Sequence, residues 1–263
     1  MLTRRNEPEA NEFMAKIDIG QEKLEDLIIN NEAVGQLIQM YRTKTLATEA
    51  DKIAKEVDKI VKENEEHYSV LNTVIADIKN MLSAEDNELS DMPPLEKAAF
   101  ESSPEYRMKR SVYGAFVGKF QEVLKETNSV QGEFRNEVKK NIKGQLKVAN
   151  PRMTEEELEA QVANPEEGQR LLSQQVLGVH ENVKSAIRDI EAKYREIIAL
   201  ERSVEQVHQM FLTLSGLVQE QSEMLNNIEN NMVEAKNYIT KGEKHVVQAR
   251  KWYQETRTVL VFC

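Results

Sequence analysis

The chain has 263 residues, of which 30% are charged and only 6% aromatic, long enough for one large or two modest domains. Ten glycines, six prolines and many Glu, Lys, Gln, Leu and Ala leave long periodic runs, which predict an all-α protein. A net charge of -10 argues against a general nucleic-acid binder, and the single cysteine, Cys263, excludes an internal disulfide framework.

The N-terminus, MLTRRNEPEANEF, lacks the apolar core of a secretory signal. Met1 to about Pro8 reads as a flexible tail marked by Leu2, Thr3, Arg4 and Arg5. From about Asn11 to Lys44 the pattern is helical: Phe13, Ile17, Leu24, Leu27, Val34, Ile38 and Tyr41 keep one face apolar. Gly35 weakens that helix by about 1 kcal/mol relative to alanine. Thr43, Thr45 and Thr48 suggest a connection, with Thr48 as N-cap.

A second helix is expected over about Glu49 to Ser83, along Ile53, Val57, Ile60, Asn64, His67, Leu71, Val74, Ile78 and Met81. Asn64 and His67 interrupt its apolar seam, and no ligand cluster accompanies His67 to suggest a metal or catalytic role. Residues 84–103 (AEDNELSDMPPLEKAAFESS) read as a disordered loop, because the acids, serines and Pro93-Pro94 do not sustain a helix.

Ser103-Pro104 starts a third helix with a hydroxyl N-cap and proline at the first helical position. It runs to about Val148, with Tyr113, Phe116, Phe120, Val123, Val130, Phe134 and Val138 on its core face. Gly114 and Gly118 are spaced for close approach of a neighbouring helix. Three such striped helices predict an antiparallel bundle. Asn150-Pro151 ends the third helix. Thr154 and Glu157 then form a capping box for a short helix to Gln161, in a linker closed by Pro165 and Gly168. The final helix is expected from near Leu171, and Val176, Val179, Val183, Ile187 and Ile190 carry its stripe forward.

Within it, sixteen positions alternate steps of three and four: Ile197, Leu200, Val204, Val207, Phe211, Leu214, Val218, Gln221, Leu225, Ile228, Met232, Ala235, Ile239, Gly242, Val246 and Ala249. A mean period of 3.5 is the seam of a helix that supercoils with partners. At about 1.5 Å per residue the rod is roughly 80 Å long. Gln221 alone is polar there, and a buried amide without partners costs about 1–3 kcal/mol. No companion on its own helix satisfies it, so it asks for polar groups from other helices. Beyond the seam, Arg250, Lys251, Trp252 and Tyr253, with Arg257, suit a membrane–water interface. The terminal TVLVFC is far shorter than the about 20 residues of a spanning helix.

The run EIIALERSVEQVHQMFLTLSGLVQEQSEMLNNIENNMVEAKNYI resembles the SNARE motif of the syntaxins, with Gln221 at the central zero-layer glutamine. RMKRSVYGAFVGKFQEVLKETNSVQGEFRNEVKKNIKGQL is similar to the third helix of the syntaxin regulatory (Habc) domain, and NEFMAKIDIGQEKLEDL to the first. The resemblance implies a Qa-SNARE of plasma-membrane, exocytic type, without enzymatic activity or cofactor. It divides the chain into an N-terminal peptide (1–8), an Habc domain (9–150), a linker (151–170), a SNARE helix with its juxtamembrane region (171–256) and the start of a tail anchor (257–263). It implies that Leu2 to Arg5 dock on a Sec1/Munc-family protein, although here the order is Thr-Arg-Arg without the leading acid. It implies that the linker, through Glu157 and Leu158, helps hold a closed state. It also implies that two further glutamines and one arginine, from Q-SNARE helices and a vesicle R-SNARE, meet Gln221, with zippering toward Ala249. Gly242 departs from the small apolar residue expected at its layer.

A seam this long is not left bare in water. It packs on the chain's own three helices or with foreign helices, and the two burials compete. A purely structural coiled coil is the alternative, and it should carry several polar interruptions and need no anchor. A carboxylate-bridged metal enzyme needs Glu-x-x-His pairs on facing helices. Here Glu205-x-x-His208 stands alone, and His67, His180 and His245 do not complete it.

Overall fold

The computed structural model describes residues 6–43, 47–175 and 187–220, and every regular element among them is helical. In order these are α1 (Asn6–Thr43), α2 (Ala47–Ser90), α3 (Pro94–Glu101), α4 (Pro104–Ala149), α5 (Glu155–Ala163), α6 (Pro165–Gln175) and α7 (residues 187–220). By contact density the chain forms two compact units. Of the described residues, the first holds those up to 76 and those from 118 to 215, and the second holds 77–117 and 216–220.

The first unit is a bundle whose topology follows from side-chain pairings. Asn30 Nδ2 donates to Asn64 Oδ1 at 2.7 Å, and His67 Nδ1 lies 3.7 Å from the Asp26 carboxylate, so α1 and α2 are antiparallel. Asn31 meets Thr127 and Arg42 meets Glu133 and Glu137, so α1 and α4 run parallel. Against α4, α7 is antiparallel: Gln121 pairs with Ser215, Gln131 with Ser203 and Lys139 with Glu201. Asp51–Lys193 and Asn72–Met210 set α7 parallel to α2. The expected antiparallel three-helix bundle is present, with the C-terminal helix packed on it as a fourth.

Heptad spacing explains the burial. On α1 the buried positions are Phe13, Ile17, Gly20, Leu24, Leu27, Asn31, Val34, Ile38 and Tyr41, a strict four-three alternation. On α2, Ala50, Val57, Asn64, Leu71 and Ile78 repeat every seven residues, and Ala54, Val61, Tyr68, Ile75, Leu82 and Leu89 form a second heptad row. That second row widens the apolar face beyond a two-stranded seam, as a helix with several neighbours requires. At mid-bundle the core turns polar. Asn31 Nδ2 donates to Thr127 Oγ1 at 2.9 Å, and Thr127 Oγ1 donates to the Val123 carbonyl at 2.9 Å. Gln131 occupies the seam position beside Val130, which is only partly buried. Such polar core groups cost stability but fix register.

The second unit corrects the expected loop at 84–103. There α2 continues to Ser90, and α3 occupies Pro94–Glu101. The acids that looked helix-breaking are tied to α4. Arg110, fully buried, donates to Glu85 Oε2 at 2.9 Å, to the Leu82 carbonyl at 3.3 Å, and to Asp86. Lys109 donates to Glu85 Oε1 at 2.6 Å, and Tyr106 OH to Asp86 Oδ1 at 2.9 Å. The Arg110 guanidinium stacks 3.4 Å above the Tyr106 ring, whose other neighbour is Phe100, edge-on at 5.7 Å. Charge-assisted bonds and ring stacking override the local composition. Pro93-Pro94 does end α2, and Pro94 opens α3.

Other expectations also shift. α1 begins at Asn6, so residues 6–8 are helical where a flexible tail was expected, and Pro8 sits in the first turn where its missing N–H costs nothing. α2 begins at Ala47, which places Thr48 inside the helix instead of at its cap. Ser103 caps α4 as expected, accepting from Tyr106 N at 3.3 Å. At Gly118 an added Cβ would meet nothing within 4 Å, so close helix approach is not its reason.

Candidate functional site

The candidate site is α7, the described part of the predicted seam, together with the surface that holds it. Two linker helices lead to it. Thr154 Oγ1 accepts from Glu157 N at 3.2 Å, and Glu157 Oε2 accepts from Thr154 N at 2.8 Å, completing the predicted capping box. That helix, α5, turns Leu158 (1% exposed) and Val162 into the bundle core. Glu157 stays at the surface as a cap. On the α4 side, Lys143 pairs with Glu155 and with Glu159 at 3.0 Å, and Lys147 Nζ donates to the Met153 carbonyl at 2.5 Å.

Pro165 and Gly168 do not close the linker as the sequence suggested. Asn164 Oδ1 accepts from Glu167 N at 3.3 Å and caps a new helix. Pro165 is the first residue of that helix, α6, and Gly168 lies within it. The glycine is there for space. A Cβ built on it would lie 2.4 Å from the Gln161 carbonyl oxygen and 2.7 Å from Tyr194 Oη. Tyr194 of α7 is wholly buried there and donates to the Gln161 carbonyl at 3.3 Å. Burial raises its phenol to about 12. Leu171, the expected start of the final helix, belongs to α6.

α7 buries Ile187, Ile190, Tyr194, Ile197, Leu200, Val207 and Leu214. Four of the predicted layer residues are thus in the core: Ile197, Leu200, Val207 and Leu214. Val204, Phe211 and Val218 are only partly buried. The position that replaces Val204 is Ser203, 4% exposed, which donates to Gln131 Oε1 at 3.2 Å. The bundle therefore grips α7 in steps 197, 200, 203, 207, where the seam itself steps 197, 200, 204, 207. The two faces overlap but are rotated about Ser203.

Charged groups missed by the sequence reading also sit under α7. Lys193 is 1% exposed and paired with Asp51 of α2. One turn on, Glu196 is largely buried, and its Oε2 has no hydrogen-bond partner. Burial lifts its carboxyl from 4.5 to about 7, helped by Asp51 and Asp58 and opposed by Lys193 and Lys55. Tyr194 extends the 187, 190, 197 spacing and could have been found from it. Lys193, Glu196, Ser203 and Gln131 could not, because each gains its role from a residue on another helix.

The remaining predicted site residues lie outside the described residues: Leu2, Thr3, Arg4, Arg5, Gln221, Leu225, Ile228, Met232, Ala235, Ile239, Gly242, Val246, Ala249, Arg250, Lys251, Trp252 and Tyr253. Among the described residues, no helix is long and apolar enough to cross a membrane.

A coiled-coil helix whose seam is sequestered by the chain's own helical bundle and linker defines the class. Residues 188–263 match the family described as SNARE domain, and residues 9–176 match the family described as Syntaxin. The chain belongs to the syntaxin family. A comparison with curated protein sequences finds no match. The fold is shared with a chain from the crystal structure of the Unc18–syntaxin 1 complex of Monosiga brevicollis, at 20% identity and a TM-score of 0.63, covering 86% of this chain and 89% of that one.

Proposed function

We propose that this protein is a Qa-type SNARE of a target membrane, the plasma membrane in our reading, acting in vesicle docking and fusion without enzymatic activity. Its seam, Ile197 to Ala249, joins two Q-SNARE helices and a vesicle R-SNARE in a parallel four-helix bundle, with Gln221 as the polar layer that sets register. Zippering proceeds from Ile197 toward Ala249, the end carrying Arg250, Lys251, Trp252 and Tyr253 at the lipid interface and, beyond them, a tail anchor. A Sec1/Munc-family protein binds the closed form, with Leu2 to Arg5 as an additional contact. This partner reading rests on the fold shared with the syntaxin-containing complex of Monosiga brevicollis.

One observation carries the reading. Ile197, Leu200, Val207 and Leu214 are buried in the chain's own core, and they are the side chains a SNARE bundle needs. One side chain cannot fill two cores, so closed and assembled states exclude each other.

The test is to mix the protein with Q- and R-SNARE helices, with and without a Sec1/Munc protein, and follow assembly by gel filtration and helical circular dichroism. A stoichiometric four-helix complex is expected. Gln221→Leu should still assemble but with altered partner selection or disassembly. Self-association through the seam, with no hetero-complex under any combination, would leave the structural coiled-coil alternative standing.

A further inference from the structure

The interface between α7 and α2 holds a carboxyl group that the assembly reading does not use. Glu196 immediately precedes Ile197, the first position of the seam. Its Oε2 is buried and accepts no hydrogen bond. Arg195, next to it in sequence, is exposed, and Lys193, one turn earlier on the same face, is itself buried and committed to Asp51. From α2, Asp51 and Asp58 face Glu196 with like charge and Lys55 with opposite charge. From α1 comes the Tyr41 phenol, which burial, reinforced by the neighbouring acidic side chains, holds protonated. An ionised Glu196 in the docked helix is therefore a desolvated anion beside two others. A neutral one removes that buried charge.

We propose that docking of α7 onto the bundle takes up a proton at Glu196, making this contact a pH-sensitive latch that tightens on acidification and loosens through neutrality. This rests on the reading that α7 leaves the bundle to assemble elsewhere. Once released, the side chain is in water and returns to ordinary carboxylate behaviour.

The sign follows from the two states. The docked carboxyl titrates near 7 and an ordinary one near 4.5. The stabilisation from protonation is complete below about 4.5 and is lost as pH rises through 7. Above 7 the docked helix must hold an anion. With solvent access to the group discounted, the docked-to-released ratio should fall roughly tenfold between pH 5.5 and 8.

Hydrogen exchange of the full chain tests this, read by mass spectrometry on peptides covering 187–215 and corrected for intrinsic exchange, with α1 peptides as reference. In the wild type, protection of 187–215 should fall roughly tenfold across that range while α1 changes little. In Glu196→Gln the profile should be flat and the helix should stay docked at pH 8. A wild-type profile without slope, or an equal slope in Glu196→Gln, overturns the proposal while leaving docking intact. Absence of protection in 187–215 at every pH instead overturns the docked state itself, and with it the closed-state reading. Carbon-13 titration of the Glu196 carboxyl in the wild-type chain is an independent check: a midpoint near 7 supports the latch, and one near 4.5 refutes it.

Discussion

Gly168→Ala probes the joint between linker and seam. The added Cβ would stand 2.4 Å from the Gln161 carbonyl oxygen, 2.7 Å from Tyr194 Oη and 2.8 Å from Tyr194 Cζ. The first of these atoms is backbone, so relief requires moving the α5–α6 turn or expelling the tyrosine. Overpacking of this kind costs about 1–3 kcal/mol. Loss of the Tyr194–Gln161 hydrogen bond adds about 1 kcal/mol. Alanine returns about 1 kcal/mol over glycine through helix propensity. The net loss is about 1–3 kcal/mol, or roughly 5- to 150-fold in the equilibrium between packed and displaced linker. Gly144, on the exposed face of α4, is the matched control, since a Cβ there meets nothing within 4 Å. Thermal unfolding followed by circular dichroism, with hydrogen exchange of α5, α6 and residues 187–200, reads both variants. Gly144→Ala should raise the melting temperature slightly. Gly168→Ala should lower it and deprotect the linker and α7 together. If Gly168→Ala stabilises as its control does, the close approach of Tyr194 is not a constraint.

Leu158→Ala removes a side chain that is 1% exposed and should destabilise the linker's attachment by about 2–5 kcal/mol; hydrogen exchange confined to α5, with no change in α7, would contradict a role in holding the seam. Arg110→Met leaves the Glu85 and Asp86 carboxylates short of their buried partner and should cost about 3 kcal/mol, the low end for a broken buried pair because both acids keep some access to water; unchanged protection of residues 82–101 would refute the clamp. Ser203→Ala deletes a bond to Gln131 and should weaken docking by about 1 kcal/mol. It leaves the seam positions untouched, so the assembled bundle should melt at the wild-type temperature.

Helical content and the three-helix bundle were readable in the chain, because each rests on local periodicity, whereas packing of the last helix as a fourth was one of two burials that periodicity left open. Alternating steps of three and four place Phe13 to Tyr41 on one stripe of α1 and Ile197 to Leu214 on one stripe of α7, whatever they pack against. The Thr154–Glu157 capping box was readable for the same reason, since both partners sit within one turn. Where reading failed, the deciding contact lay far off in sequence. Residues 84–90 looked like loop until Arg110 and Lys109 neutralised their acids from α4. Gly168 looked like a helix stop until Tyr194, 26 positions later, was found to occupy the space of its missing side chain.

The seam and its 3.5-residue period are properties of the sequence alone, because they follow from side-chain spacing along a single helix. Which edge of that seam faces inward was settled only in three dimensions, by Gln131 reaching Ser203 and by Asp51 drawing in Lys193. A lone helix carries its stripe wherever it goes, but hydrogen bonds and desolvated charges need a partner surface, and these choose the rotation at which the stripe is held.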